Sequence, residues 1–180
     1  MSWGRALPAA GLSVRAMDAI GRAVGRLILA TGGGQVRRGP DGTIIFEHVR
    51  GPLVDLVLRA GGRLGLPAGT AAFALGHVIF NTGRFDESTE AGARWLAHEV
   101  GHVRQAEVLG ARYLPAYFLT LLRTGYAAHP MERAATQFGQ RNWERYRRLA
   151  GASGAPPGGE TLGLKDAPPA AGRARPATGD

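Results

Sequence analysis

Two histidines flank a glutamate in the run His98-Glu99-Val100-Gly101-His102. On an α-helix, residues four positions apart project from the same face, so both imidazoles can reach a single metal ion. Glu99 lies one step around the helix from His98, where a carboxylate can take a proton from water without binding the metal. The spacing therefore predicts a metal site with a general base beside it.

The residues around this run give the helix two sides of opposite character. Aliphatic side chains recur at helical spacing on one side, namely at Leu96, Val100 and Val103. His98, His102 and Gln105 project from the other side. Histidines that are simply buried in the core, the alternative explanation, would more often share the aliphatic side. We therefore favour metal binding, with this helix as the floor of a cleft.

A catalytic zinc ion usually has three protein ligands and one position for water, so a third ligand is needed. Glu107 is excluded because it falls on the aliphatic side of the same helix. Glu132 is better placed, because a following antiparallel helix can present its first turn to the cleft. A glutamate at that position also stabilises a helix N-terminus, and both roles can hold together. His129 is the second candidate for a ligand, a donor to the reacting carbonyl, or neither.

Three further side chains are candidates for supporting roles. Gln105 would orient one histidine through a hydrogen bond. Tyr113 and Tyr117 would stabilise an oxyanion, although each is equally well explained as a core aromatic residue whose hydroxyl reaches water.

The composition limits what the rest of the chain can do. With 180 residues and 44% hydrophobic content, the chain suits one compact domain with its own core. It contains no cysteine, so any metal must be bound by His, Asp or Glu. The net charge is +8, and Lys165 is the only lysine. Because the arginines are scattered and not interleaved with aromatic residues, we expect no specific nucleic-acid partner.

Local patterns predict an α+β domain over residues 35–150 that positions the motif. We expect a β-hairpin over 35–49 around the turn Gly39-Pro-Asp-Gly42, and then a helix over 53–60 that buries Val57 and Leu58. One strand is predicted over 71–80. The motif helix is predicted to begin at Thr89 and to be capped by Gly110, and further helices are predicted over 113–122 and 130–149.

The two ends of the chain are expected to lie outside this domain. We assign residues 1–34 to an N-terminal region, with a loose arm and then a basic amphipathic helix from Ser13 that packs on the domain or lies on a membrane. Residues 151–180 are rich in Gly, Pro and Ala, which predicts a disordered tail. No apolar run is long enough to span a membrane and no secretory signal is recognisable, which favours a cytoplasmic location.

Two longer runs carry a family resemblance. The run His77-Val-Ile-Phe-Asn-Thr-Gly-Arg-Phe85 followed by Leu96-Ala-His-Glu-Val-Gly-His-Val-Arg-Gln105 resembles the metallopeptidase-like core domain associated with extracellular contractile injection systems, over residues 43–110. The run His129-Pro-Met-Glu-Arg-Ala-Ala135 is similar to the N-P-x-E-R-x-A element of gluzincin-like HExxH proteins, with His129 where asparagine is commoner. The resemblance implies a small zincin-like domain with one zinc ion, the ligands His98, His102 and Glu132, and Glu99 as the catalytic acid/base.

These observations lead to three hypotheses. The first is a zinc metallopeptidase that cleaves a peptide or protein substrate with Glu99 as general base. The second is a non-catalytic, zinc-stabilised interaction module or secretion-associated module, against which Glu99 argues because a structural site needs no base. The third is a basic binder of nucleic acids or membrane surfaces, which requires the arginines to gather on one face.

Overall fold

The computed structural model describes residues 8–63 and 71–152. Most of the predicted loose arm (1–12) and tail (151–180) lies outside these ranges, and the parts that are described, 8–12 and 151–152, are helical, contrary to the prediction. Within those ranges the chain forms the helices and strands α1 (Pro8–Thr31), β1 (Gln35–Arg38), β2 (Ile44–Glu47), α2 (Pro52–Arg63), β3 (Ala72–Leu75), β4 (Val78–Asn81), α3 (Glu90–Leu109), α4 (Tyr113–Thr124) and α5 (Pro130–Ala152). The predicted α+β class is confirmed. None of the described helices combines the length and the hydropathy that a membrane-spanning segment needs.

The four strands form one mixed sheet in the order β1-β2-β4-β3. The predicted hairpin is present as the antiparallel pair β1 and β2, and β2 then pairs in parallel with β4. The prediction of one strand over 71–80 is wrong, because Gly76 and His77 form a tight turn that folds β3 back against β4. Gly76 has φ 62°, a left-handed conformation that glycine adopts without strain. A continuous apolar run has no alternation that reveals where a strand reverses.

Helix α1 covers one face of the sheet and begins at Pro8, five residues before the predicted cap at Ser13. Its glycines lower its intrinsic helix propensity, but they allow close packing. A Cβ atom at Gly25 would lie 2.2 Å from the Phe46 ring, and one at Gly21 would lie 2.9 Å from the Val78 side chain. Tertiary packing therefore outweighs the weak local preference.

Helix α2 differs from its prediction at both its end and its buried side. It continues through Gly61 and Gly62 to Arg63, and Val57 and Leu58 are 45% and 36% exposed, so the prediction that both are buried is wrong. The helix contacts the apolar cluster under the sheet through its first turn, at Leu53 and Val54. The helical period identified the apolar side of α2 but not how much of it reaches the core.

Helix α3 lies between the opposite face of the sheet and α5. Its predicted boundaries are confirmed, since the Thr89 hydroxyl accepts a hydrogen bond from the Gly92 N–H and Gly110 follows at the C-terminus with φ 56°. The predicted aliphatic side is buried against the sheet in one cluster with Ile45 and Ile79. On the far side, Gly139 of α5 fits so closely that an added Cβ would lie 2.9 Å from the Arg94 carbonyl oxygen.

Candidate metal centre

Three side chains from two helices converge where α5 packs on α3. His98 and His102 project from one side of α3, and Glu132 projects from the first turn of α5. The His98 Nε2 and His102 Nε2 atoms are 3.2 Å apart. Glu132 completes the group, with one carboxylate oxygen 3.3 Å from His98 Nε2 and the other 3.2 Å from His102 Nε2. The helical spacing of the motif and the first-turn position of Glu132 produce this convergence.

The His-His-Glu group is suited to a transition-metal ion. Nitrogen and carboxylate ligands about 2.0–2.1 Å from a tetrahedral zinc ion lie about 3.3 Å from one another. The separations of 3.2–3.3 Å among the potential ligand atoms match that spacing. Within the described part of the chain, this is the cluster of His, Asp and Glu side chains that could hold an ion. The donor set and its spacing therefore fit zinc.

Each of the two histidines also has a polar partner that fixes the orientation of its ring. Gln105 Oε1 lies 3.0 Å from His102 Nδ1, and its amide nitrogen donates to the Met131 carbonyl at 2.8 Å. The hydroxyl of Thr136 lies 3.4 Å from His98 Nδ1. With both Nδ1 atoms facing polar partners, the Nε2 atoms are turned towards Glu132.

Three tyrosines lie around Glu132. Tyr117 of α4 donates a hydrogen bond to a Glu132 carboxylate oxygen at 2.6 Å, so its hydroxyl positions the third potential ligand. Tyr126, in the loop after α4, lies near enough to Glu132 for the carboxylate to influence its pKa. Tyr113 is 3% exposed and packs in an apolar cluster with Val14. Of the two roles considered for it, this position matches that of a core aromatic residue. For all three tyrosines, burial is the largest cause that raises the pKa, and the nearby Glu132 raises it further.

His129 supports the site without facing it. Its Nδ1 accepts a hydrogen bond from the Glu132 backbone N–H at 3.4 Å, which caps the N-terminus of α5. Its Nε2 donates to the Tyr117 carbonyl at 3.0 Å, which ties α4 to α5. Because both ring nitrogens are engaged with backbone groups, the structure supports neither of the two functional roles considered for His129, that of a metal ligand or that of a hydrogen-bond donor to the reacting carbonyl.

Glu99 is buried beside the three converging side chains. It is 3% exposed, and its Oε2 atom has no hydrogen-bond partner among the described residues. Burial raises the pKa of Glu99 above its ordinary value, against the opposing effect of the His102 and His98 imidazoles. A carboxylate in this environment holds a proton more strongly than an exposed one.

His102 and Glu132 form a charged pair. Burial by itself lowers the pKa of His102 and raises that of Glu132. Burial is the largest single influence on each, but the opposing interactions together outweigh it. Glu132, Glu99 and Gln105 hold the pKa of His102 above its usual value, and His102, His98 and Tyr117 hold that of Glu132 well below. The third potential ligand is thus a carboxylate, the form that binds cations.

The expectation that α3 forms the floor of a cleft does not describe this site well. His102 and Glu132 are 6% and 7% exposed, because α5 and Tyr117 of α4 cover this side of α3. The side chain of His98 is the most accessible of the three, at 19%. Solvent therefore reaches the group along the edge next to His98.

The structure brings together most of the residues that the sequence singled out and separates the rest. Gln105 and Tyr117 contact the group, and Glu107 lies apart from it, paired with His77 and Arg104. Sequence reasoning missed Thr136 and Tyr126. Thr136 follows Glu132 by one helical turn, so its spacing was a usable signal, whereas no local pattern marks Tyr126.

Comparison with known proteins supports part of the family resemblance. The family model of the eCIS core domain matches residues 61–108, a shorter segment than the predicted 43–110. The match includes His98, Glu99 and His102 and ends before Glu132. No curated protein and no solved structure matches the chain. The chain thus carries an eCIS-core-like segment that ends within α3.

Proposed function

We propose that this protein is a zinc-dependent peptidase with a small zincin-like domain, in which Glu99 is the general base. The observation that carries the proposal is the buried, unpartnered Oε2 of Glu99 beside His98, His102 and Glu132. A buried polar atom without a partner lowers stability by about 1–3 kcal/mol, so it calls for an explanation. A purely structural zinc site has no use for such a carboxylate.

The residues divide the chemistry among themselves. Zinc, when bound by His98, His102 and Glu132, supplies Lewis acidity and lowers the pKa of water to about 7. Glu99 accepts a proton from the attacking water and passes it to the leaving amine. The raised pKa of Glu99 favours this role, since a base works best when its pKa approaches the working pH. Tyr117 and Tyr126, the hydroxyl groups near Glu132, would stabilise the oxyanion.

A peptide or protein is the substrate class that this chemistry suits. The match to the eCIS core domain supports a setting in a contractile injection assembly, where other polypeptides are close at hand. We include association with such an assembly in the proposal.

A second candidate function is a zinc-stabilised interaction module without turnover. The burial of His102 and Glu132 favours it, because a substrate needs access that only the edge next to His98 offers in this structure. In that case zinc would join α3 to α5 and a partner would bind elsewhere on the surface.

The two functions are separated by metal analysis and a peptidase assay on the same set of variants. For the wild-type chain we expect one zinc ion per molecule and cleavage of a casein or mixed-peptide substrate. The His98→Ala variant should lose both zinc and cleavage, whereas Glu99→Gln should keep zinc and lose cleavage. Glu107→Gln is the matched control, since Glu107 is on the same helix but pairs with His77 and Arg104.

Each outcome decides between the candidates. A wild-type chain without zinc refutes both. Zinc binding with no cleavage of any substrate supports the interaction module. If Glu99→Gln retains zinc and full cleavage, the role given to Glu99 is wrong even though the metal site is right.

A further inference from the structure

The outward side of α4 exposes bulky apolar side chains. Phe118, Leu119 and Leu122 are 48%, 55% and 70% exposed. At about 100° per residue they share one stripe with the exposed Pro115, on the side opposite Tyr113 and Tyr117. We call Pro115, Phe118, Leu119 and Leu122 the α4 outer face. Contiguous apolar patches of this kind mark interaction surfaces on soluble proteins.

Uncompensated positive charge borders the α4 outer face. Arg112 and Arg123 are exposed along one edge of it, and neither forms an ion pair with a described residue. Residues 108–131 contain no Asp or Glu. The carboxylates on either side of this segment are already engaged, Glu107 with Arg104 and Glu132 in the metal centre. The face is therefore complementary to a negatively charged partner.

A second copy of the chain is a poor partner for this face. If two α4 helices pack face to face and antiparallel, Arg112 of one copy lies near Arg123 of the other. A parallel pair places identical arginines side by side. Neither arrangement provides a carboxylate from α4, so like charges repel in both.

The chemistry of the face favours lipid over an acidic protein. Its four side chains offer no hydrogen-bonding group that would fix the register of a protein partner. Bulky aliphatic and aromatic residues bordered by arginine are typical of helices that lie in the interfacial region of a membrane. Arginine can bind phosphate while its aliphatic stem lies against apolar surface.

We propose that the α4 outer face binds the surface of a membrane that contains anionic phospholipids. Phe118, Leu119 and Leu122 insert at the boundary between headgroups and acyl chains, and the two arginines contact headgroup phosphates. Tyr117, on the inner side of the same helix, reaches Glu132, so α4 separates the metal centre from the bilayer. This inference depends on neither zinc nor peptide cleavage.

The test is co-sedimentation of the full chain with vesicles of two compositions, pure phosphatidylcholine and an equimolar mixture with phosphatidylglycerol. We expect binding to the mixed vesicles that weakens as salt increases. The double variant F118S/L122S should reduce binding about tenfold or more, because two inserted side chains are lost. The double variant R112Q/R123Q should reduce it about tenfold and weaken its salt dependence. Leu56→Ser on α2 is the matched control, since Leu56 is 64% exposed and distant in sequence, and it should leave binding unchanged.

Several results would overturn the proposal. Equal binding to both vesicle types removes the role of the arginines, and a loss of binding in Leu56→Ser comparable to that in F118S/L122S removes the role of α4. Absence of vesicle binding refutes the proposal outright. If light scattering then shows a dimer that F118S/L122S converts to a monomer, a second copy covers the face instead. Because R112Q/R123Q changes only exposed charges, it keeps the test decisive if F118S/L122S does not fold.

Discussion

The side of α3 that packs on the sheet and the side that packs on α5 are both buried, yet their chemistry is opposite. Towards the sheet, Leu96 and Val100 pack against Ile45 and Ile79, and none of these side chains has a polar atom that needs a hydrogen bond. Towards α5, the buried groups are imidazoles, carboxylates and an amide, and most have a specific hydrogen-bond partner. The exception is Glu99, which keeps one carboxylate oxygen unpaired.

The difference shows that burial on this helix has two separate purposes. Apolar packing on the sheet side provides the stability that holds α3 in place. On the α5 side, burial fixes the orientation of polar groups and raises the pKa of one carboxylate, at the expense of stability. Substitutions on the two sides should therefore affect different measurements.

The largest effect is expected from Leu96→Ala, on the sheet side. Leu96 is 1% exposed, and its truncation leaves a cavity that should lower the free energy of unfolding by about 2–5 kcal/mol. Chemical denaturation measures this change. Zinc stoichiometry at low temperature should remain that of the wild type, and a loss of zinc from the folded variant would show that the two sides are not independent.

Next in size is Gln105→Ala, on the α5 side. The substitution removes the partner of His102 Nδ1 and of the Met131 carbonyl, so zinc affinity should fall about 10–100-fold. Competition with a chromophoric chelator gives the affinity. Gln137→Ala, at an exposed position of α5, is the control and should bind zinc as the wild type does. An unchanged affinity in Gln105→Ala would contradict the orienting role.

A smaller effect is expected from Gly139→Ala, where α5 meets α3. The new Cβ would lie 2.9 Å from the Arg94 carbonyl oxygen and 3.3 Å from the His98 backbone nitrogen, so α5 must shift. The crowding is partly offset by the better helix propensity of alanine, which leaves a net loss of about 1 kcal/mol. Thermal denaturation without metal measures it. A more stable variant would show that the two helices can separate freely.

The smallest stability effect is expected from Glu99→Gln. Because the substitution replaces a buried carboxylate by a neutral amide of similar shape, the free energy of unfolding should stay the same or rise by up to about 1 kcal/mol. Denaturation of the metal-free protein is the measurement. A destabilisation like that of Leu96→Ala would mean that Glu99 is a structural residue.

Local signals predicted the motif helix well because its determinants are close together in the sequence. Thr89 and Gly110 cap it, and the spacing of His98 and His102 places them on one side. The position of Glu132 followed from the proline that starts α5.

Features that depend on contacts between distant segments were not predictable in this way. The exposure of Leu58 depends on how far α2 extends beyond the core, and the approach of Tyr126 to Glu132 depends on the path of the loop after α4. The burial of the His-His-Glu group depends on the packing of α5, which the period of α3 alone does not reveal. The turn at Gly76 lies inside an apolar run where neither strand alternates.

The potential ligands come from two helices, with the whole of α4 between them in the sequence. An ion shared by His102 and Glu132 would close that stretch of chain into a loop and reduce the conformational entropy of the unfolded state. Secreted domains often obtain such a cross-link from a disulfide, which a chain without cysteine cannot form. Occupancy of the centre would then strengthen the attachment that α5 already has through its packing on α3, so metal binding and that attachment would be thermodynamically linked.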